Sequence, residues 1–188
     1  GETAPRGVPM PFDFSDRHRV DDGTSGRLQL ARWLTDDDHP MTARVIANRV
    51  WHWHFGNGLV RTPDDFGIRG AEPTHPKLLV WLASELIRSD WSIKHLHRLI
   101  LRSSAYRMST ANNAHAAEAD PENTLLWRMN RRRMEAEVIH DSLLQVAGRL
   151  DLQMGGLAAV VKTQDPTSDE LDRNNEIYRG ITRRAIYV

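Results

Sequence analysis

The sequence predicts a mainly α domain: a compact bundle of about five helices with a long ordered loop and a small C-terminal β element. Three observations predict it. Apolar residues recur at three- and four-residue spacing over much of residues 26–150. Clusters of Gly, Pro, Asn and Asp cut that pattern into helix-sized pieces. The β-branched runs come only after Gly156.

Residues 1–25 carry Pro5, Pro9 and Pro11 without periodicity and read as a linker or N-terminal arm, leaving residues 26–188 as a single helical domain. Leu28, Ala31 and Leu34, with Leu30 and Trp33 beside them, define a first short helix that Asp36-Asp37-Asp38-His39-Pro40 stops. Thr42 is placed to cap a second helix running to Phe55, where Gly56-Asn57-Gly58 supplies left-handed residues to end it. Residues 59–73 hold Pro63, Gly67, Gly70 and Pro73 and form a long loop. The stretch from Arg61 to His75 is expected to be ordered and to lie across the ends of the second and third helices as the main cleft, with Phe66 and Ile68 inserted between them. Thr74, with Pro76 in the first turn, opens a third helix striped by Leu78, Leu79, Leu82, Ala83, Leu86 and Ile87. Ser92 caps a fourth, carrying Ile93, Leu96, Leu99 and Ile100, and the short link before it makes the two antiparallel. Residues 108–119 read as a surface connection, and Asp120-Pro121 as the start of a further helical stretch. Residues 134–150 form an amphipathic helix whose Ile139, Leu143, Val146 and Leu150 should face the core. Residues 157–161 and 177–188 read as strands.

Composition narrows the function classes. In 188 residues, 25 basic and 25 acidic side chains give a formal net charge of +0, without the electrostatic footprint of a nucleic-acid binder, so no nucleic-acid partner is expected. The absence of Cys excludes disulfides, thiolate metal sites, a Cys nucleophile and covalent haem attachment within this chain. No run reaches the length of a membrane span, and no phosphate loop, hydrolase elbow or zincin motif occurs. No cofactor and no metal site are expected in this chain. The start at Gly1 and the end within Ala185-Ile186-Tyr187-Val188 read as a piece of something longer.

Candidate site residues come from helical phase and from the loop. At about 100° per residue, His54 falls near the apolar stripe set by Ala43, Ile46, Val50 and Trp53, while His52 points to solvent. On the fourth helix His95 points away from the core and His97 flanks it. A metal would need His54, His75 and His97 from three segments, because neither i, i+2 pair can chelate from a straight helix. In the loop, Asp64-Asp65 could hold a general acid or base, with His75 beyond and Arg61 and Arg69 positioned for an anionic substrate. The catalytic candidates are therefore His54, Asp65 and His75, and the binding candidates Arg49, Trp51, Arg61, Arg69 and His97. Equally, the loop carboxylates could cap turns and His54 could be a satisfied core histidine. Trp33, Trp53 and Trp81 sit on or beside apolar stripes, whereas Trp51 and Trp91 are the better surface platforms for a sugar or a partner.

Several blocks carry a family resemblance: Asn48-Arg49-Val50-Trp51-His52-Trp53-His54-Phe55-Gly56, Gly58-Leu59-Val60-Arg61-Thr62-Pro63-Asp64-Asp65-Phe66-Gly67, Thr74-His75-Pro76, Trp91-Ser92-Ile93, Asp120-Pro121-Glu122-Asn123, Trp127-Arg128-Met129-Asn130 and Arg183-Arg184-Ala185-Ile186-Tyr187. Together they resemble a planctomycete-type domain of unknown function found C-terminal to cytochrome c-like and other uncharacterised domains in large exported proteins. The resemblance spans roughly residues 26–188 and implies that the family's domain continues beyond this chain. Two departures stand out. His52-Trp53-His54 replaces a Gln-led motif in which only the last His is kept, and Glu72, Lys77 and Val80 replace Pro and acidic residues, so no acid role carries over to 77 or 80. The resemblance implies an extracytoplasmic protein, a haem-bearing neighbouring domain and a link to polysaccharide use. The function expected is an auxiliary, domain-packing module whose partners are other domains of the parent protein, with carbohydrate as a further partner. The alternatives are a carbohydrate-active hydrolase with a His/Asp site, or a redox partner of a cytochrome c domain. The residues alone name no reaction.

Overall fold

In the computed structural model the described residues are 20, 23–154 and 182–184. They form six helices: α1 (Arg27–Leu34), α2 (Thr42–Phe55), α3 (Pro76–Arg88), α4 (Ile93–Arg102), α5 (Ala114–Ala119) and α6 (Ala136–Val146). The fold class is mainly α, as predicted, and no sheet occurs among the described residues. The chain divides into two compact units, Gly1–Arg131 and Arg132–Val188.

In the first unit α2 packs on α3 and α4, and those two pack on each other. Ala43, Ala47, Val50 and Phe55 of α2 meet Leu79, Leu82 and Leu86 of α3 and Leu96 and Ile100 of α4. Val50, Leu86 and Leu96 are wholly buried. Burying each such side chain stabilises by about 1.5–3 kcal/mol, and Leu86→Ala would cost about 2–5 kcal/mol because the surroundings only partly refill the space. Gly56 ends α2 at φ 86°, with its N–H donating to the His52 carbonyl. Ser92 caps α4 by accepting from the His95 N–H, as the sequence predicts. The link between α3 and α4 turns through Asp90 and Trp91 at φ 55° and 58°. Left-handed backbone at a bulky residue is costly, and the packing of Trp91 against the core offsets it.

Several expectations need correction. Neither Thr42 nor Thr74 is an N-cap: Met41 precedes α2 and His75 precedes α3, and neither caps through its side chain. Instead His39 Nδ1 accepts from the Thr42 N–H at 3.1 Å and the Met41 N–H at 3.3 Å, while the Thr42 hydroxyl donates to it at 3.0 Å. Residues 114–119, expected as open connection, form α5, and Asp120-Pro121 follows that helix rather than starting one. The buried face of α2 is turned by about one residue from prediction, because Ala47 and polar Asn48 face the core in place of Trp53. Hence Trp51 is 5% exposed and stacks on Phe55, whereas Trp53 is 61% exposed. Trp81 is also exposed, and Trp33 is buried with its ring edge-on to His39. His52 and His95 are half-buried rather than solvent-facing, and His54 is half-buried too. His95 is drawn in because Glu85 of α3 reaches it at 3.2 Å.

In the second unit, α6 buries none of its residues. Ile139, Leu143 and Val146 are exposed rather than core-facing. Asp151 forms a parallel bridge with Arg183, and its N–H donates to the Thr182 carbonyl at 2.7 Å. The strands expected at 157–161 and 177–188 lie outside the described residues, apart from 182–184.

Candidate functional site

The predicted loop is built around Asn48, a polar residue on the buried face of α2. Its side-chain amide accepts from the Val60 N–H at 2.8 Å and donates to the Val60 carbonyl at 3.0 Å, satisfying buried loop backbone as a neighbouring strand would. Gly58 makes this approach possible, since a Cβ there would lie 2.4 Å from the Val60 oxygen and 2.7–2.8 Å from the Asn48 amide. Leu59 and Val60 are then buried in the core. The loop returns through Thr74, whose N–H and hydroxyl both donate to the Leu59 carbonyl.

The loop's polar side chains are occupied in holding it. Asp65 Oδ1 accepts from the Gly67 N–H at 2.9 Å, the Thr62 hydroxyl donates to the Asp65 carbonyl, and the Ala71 N–H donates to Thr62 Oγ1. Asp64 pairs with Arg49 at 3.0 Å on the surface. His75 Nδ1 lies 3.0 Å from Thr74 Oγ1. Arg69 is exposed. Phe66 packs against the core, but Ile68 is fully exposed rather than inserted between helices.

Arg61 turns to the segment after α5, donating to Glu122 at 2.8 Å and to Thr124 Oγ1 at 3.0 Å. That segment is a second hydrogen-bonded loop which the sequence reading missed. The Asp120 carboxylate accepts the Thr124 and Leu125 N–H groups, and Trp127 Nε1–H donates to the Asp120 carbonyl. The Leu125 bond chiefly holds the Asp120 carboxyl below its ordinary range; the Thr124 bond and the Arg61 charge add to this, and partial desolvation opposes it. Asn123, 4% exposed, donates to the Arg128 carbonyl and to Asn130 Oδ1, and accepts from the Arg128 N–H. Asn130 in turn donates to the Phe55 carbonyl at 3.0 Å, filling a bond that the end of α2 leaves open. Between the two loops lies a cavity of about 20 Å³, bordered by Trp51, Phe55, Gly58, Arg61, Thr74 and Asn123. It has room for a single water and not for a substrate.

The closest meeting of candidate side chains is elsewhere. His54, in the last turn of α2, has Nε2 at 2.7 Å from Nδ1 of His97 on α4. Their rings lie edge-on with centroids 5.0 Å apart, and Tyr106 stands edge-on to His54 at 5.5 Å. His75 does not join them: no group of three or more His, Asp or Glu side chains able to hold a metal occurs among the described residues. Of the predicted residues, the structure thus unites His54 with His97 and Arg49 with Asp64. Asp65 and His75 hold loop contacts of their own, and Trp51 lies in the core. Asn48, Asn123 and Asn130 were legible only as residues of the blocks that carry the family resemblance, since an Asn that pairs with distant backbone has no local signature.

Comparison with known proteins identifies a family. The family described as "PSD1: Protein of unknown function (DUF1553)" matches residues 26–188, and the chain belongs to it. No curated protein and no solved structure matches.

Proposed function

We propose that this member of the DUF1553 family is a non-catalytic packing module of an exported multidomain protein, docking on another domain of the same polypeptide. On this reading any haem chemistry or polysaccharide processing belongs to those other domains. The observation that carries it is the outward face of α3. Val80 and Trp81 are each 45% exposed, and with Pro76, Lys77 and Ser84 they line an open, largely apolar groove of about 470 Å³. The opposite face of the helix, Leu79, Leu82, Ala83 and Leu86, is already buried, so Val80 and Trp81 form an apolar patch outside the core stripe, flanked by Lys77, Ser84 and Arg88. An exposed apolar patch rimmed by polar residues, on a helix whose core face is already buried, is the kind of surface that another domain covers.

The hydrolase reading has less support, because its acids are spent on the scaffold. Asp65 closes a turn, Asp64 pairs with Arg49, and His75 contacts Thr74. The test is the double variant Val80→Glu, Trp81→Glu in the parent polypeptide. Proteolytic release of the domain should accelerate by about tenfold or more, while the melting temperature of the isolated domain changes by only a few degrees. Unchanged release would overturn the docking role.

A further inference from the structure

We propose that His54 and His97 form a binding site for one borderline divalent transition-metal ion of the zinc or copper type. The two rings come from different helices, and their nitrogens aim at one another across 2.7 Å. An imidazole pair at that distance shares one proton, so one nitrogen donates while the other presents its lone pair. Two imidazoles on a tetrahedral ion, each bound at about 2.0–2.1 Å, have nitrogens about 3.3 Å apart. The nitrogens therefore need to part by about 0.6 Å and each ring to tilt by roughly 35°, so that both lone pairs converge on the ion; side-chain torsions supply that movement. The donor ring moves its proton to its other nitrogen and both lone pairs face the ion; the neutral pair releases no proton.

Two features favour a cation here. His54 lies in the final turn of α2, where the helix presents its negative end. Both rings are half-buried, so the ion reaches them and still keeps solvent on its other side. Among the described residues no third His, Asp or Glu completes the set, and water can take the remaining positions. Such a two-imidazole set suits zinc, copper or nickel and not magnesium or calcium, which take oxygen ligands. Tyr106 stands at right angles to the His54 ring and limits its swing on that side.

The test is calorimetric titration of ZnCl₂ into the chain at neutral pH in a non-coordinating buffer, read together with the imidazole nitrogen shifts by NMR. One equivalent should bind, moving His54 Nε2 and His97 Nδ1. His97→Gln and His54→Gln should each weaken that equivalent at least about tenfold, as loss of one of two ligands requires, while His115→Gln, an exposed control, leaves it unchanged. Circular dichroism confirms that the variants fold. If a variant does not fold, the nitrogen shifts of the wild type decide alone. Zinc binding that leaves those two nitrogens unmoved, or that survives in both variants, overturns the proposal, as does the absence of binding at millimolar zinc.

Discussion

His39 is an acid-labile cap. Its Nδ1 can accept the Thr42 and Met41 N–H groups and the Thr42 hydroxyl only while it carries no proton, which requires the neutral Nε2–H tautomer. Protonation would turn a donor toward three donors and place a positive charge at the N-terminal end of α2, where the helix dipole disfavours it. The ring is 7% exposed, and burial is the main cause that lowers its pKa from 6.5; Asp36 and a backbone hydrogen bond oppose the shift. With the folded pKa below the unfolded one, the unfolded chain binds more proton between the two values. The contribution to stability is therefore full above about pH 6.5 and lost as pH falls from there through the folded pKa. Losing an N-terminal cap costs about 0.5–2 kcal/mol, which moves the melting temperature by roughly 2–6 °C in a chain of this size. The assay compares wild type with His39→Phe, which keeps an aromatic ring against Trp33 but offers no acceptor. Thermal melts at intervals from pH 8 to pH 5 should show wild type ahead by roughly 2–6 °C at pH 8, the gap closing toward pH 5. The other histidines cancel in this difference. A gap that stays constant across the range would refute the cap.

Three further outcomes are expected. Gly58→Ala should destabilise by about 2–3 kcal/mol in chemical denaturation, because the new methyl meets both the Val60 carbonyl and the Asn48 amide. Asp65→Ala should cost about 0.5–1 kcal/mol and Asp65→Asn almost nothing, since the acceptor for the Gly67 N–H is exposed and Asn preserves it; loss of the parent protein's activity in Asp65→Asn with stability intact would reinstate Asp65 as a reacting group. Asp120 has a folded pKa below 3.8, so its contribution is present above that value and lost as pH falls through the folded pKa. Asp120→Asn should flatten that part of the acid-unfolding curve.

The parts of the fold legible in the sequence are those with local causes. Gly56 ended α2 and Ser92 capped α4 where the residue types said they would, because a left-handed residue and a hydroxyl acceptor act on their own few neighbours. The predicted phase of α2 differs by about one residue because apolar residues alone set the stripe, whereas polar Asn48 shares the buried face through its partner Val60, twelve residues on. The same blindness to distance hid Asn130 at the Phe55 carbonyl, seventy-five residues away, and the convergence of His54 with His97. Asp120-Pro121 carries a helix-start signal, yet Asn123 and Leu126 take left-handed backbone and side-chain bonds replace the helical ladder. Capping by His39 was missed because the residues expected to cap are Ser, Thr, Asp and Asn.

The packing-module reading turns on whether Trp81 is covered in the parent protein. Hydroxyl-radical footprinting of the isolated chain and of the parent polypeptide, each digested and read at residues 76–88, measures that directly. Trp81 should be oxidised readily in the isolated chain, where it is 45% exposed, and at least about fivefold more slowly in the parent, as burial of an aromatic anchor at an interface requires. Equal oxidation of Trp81 in the two proteins would contradict the module reading.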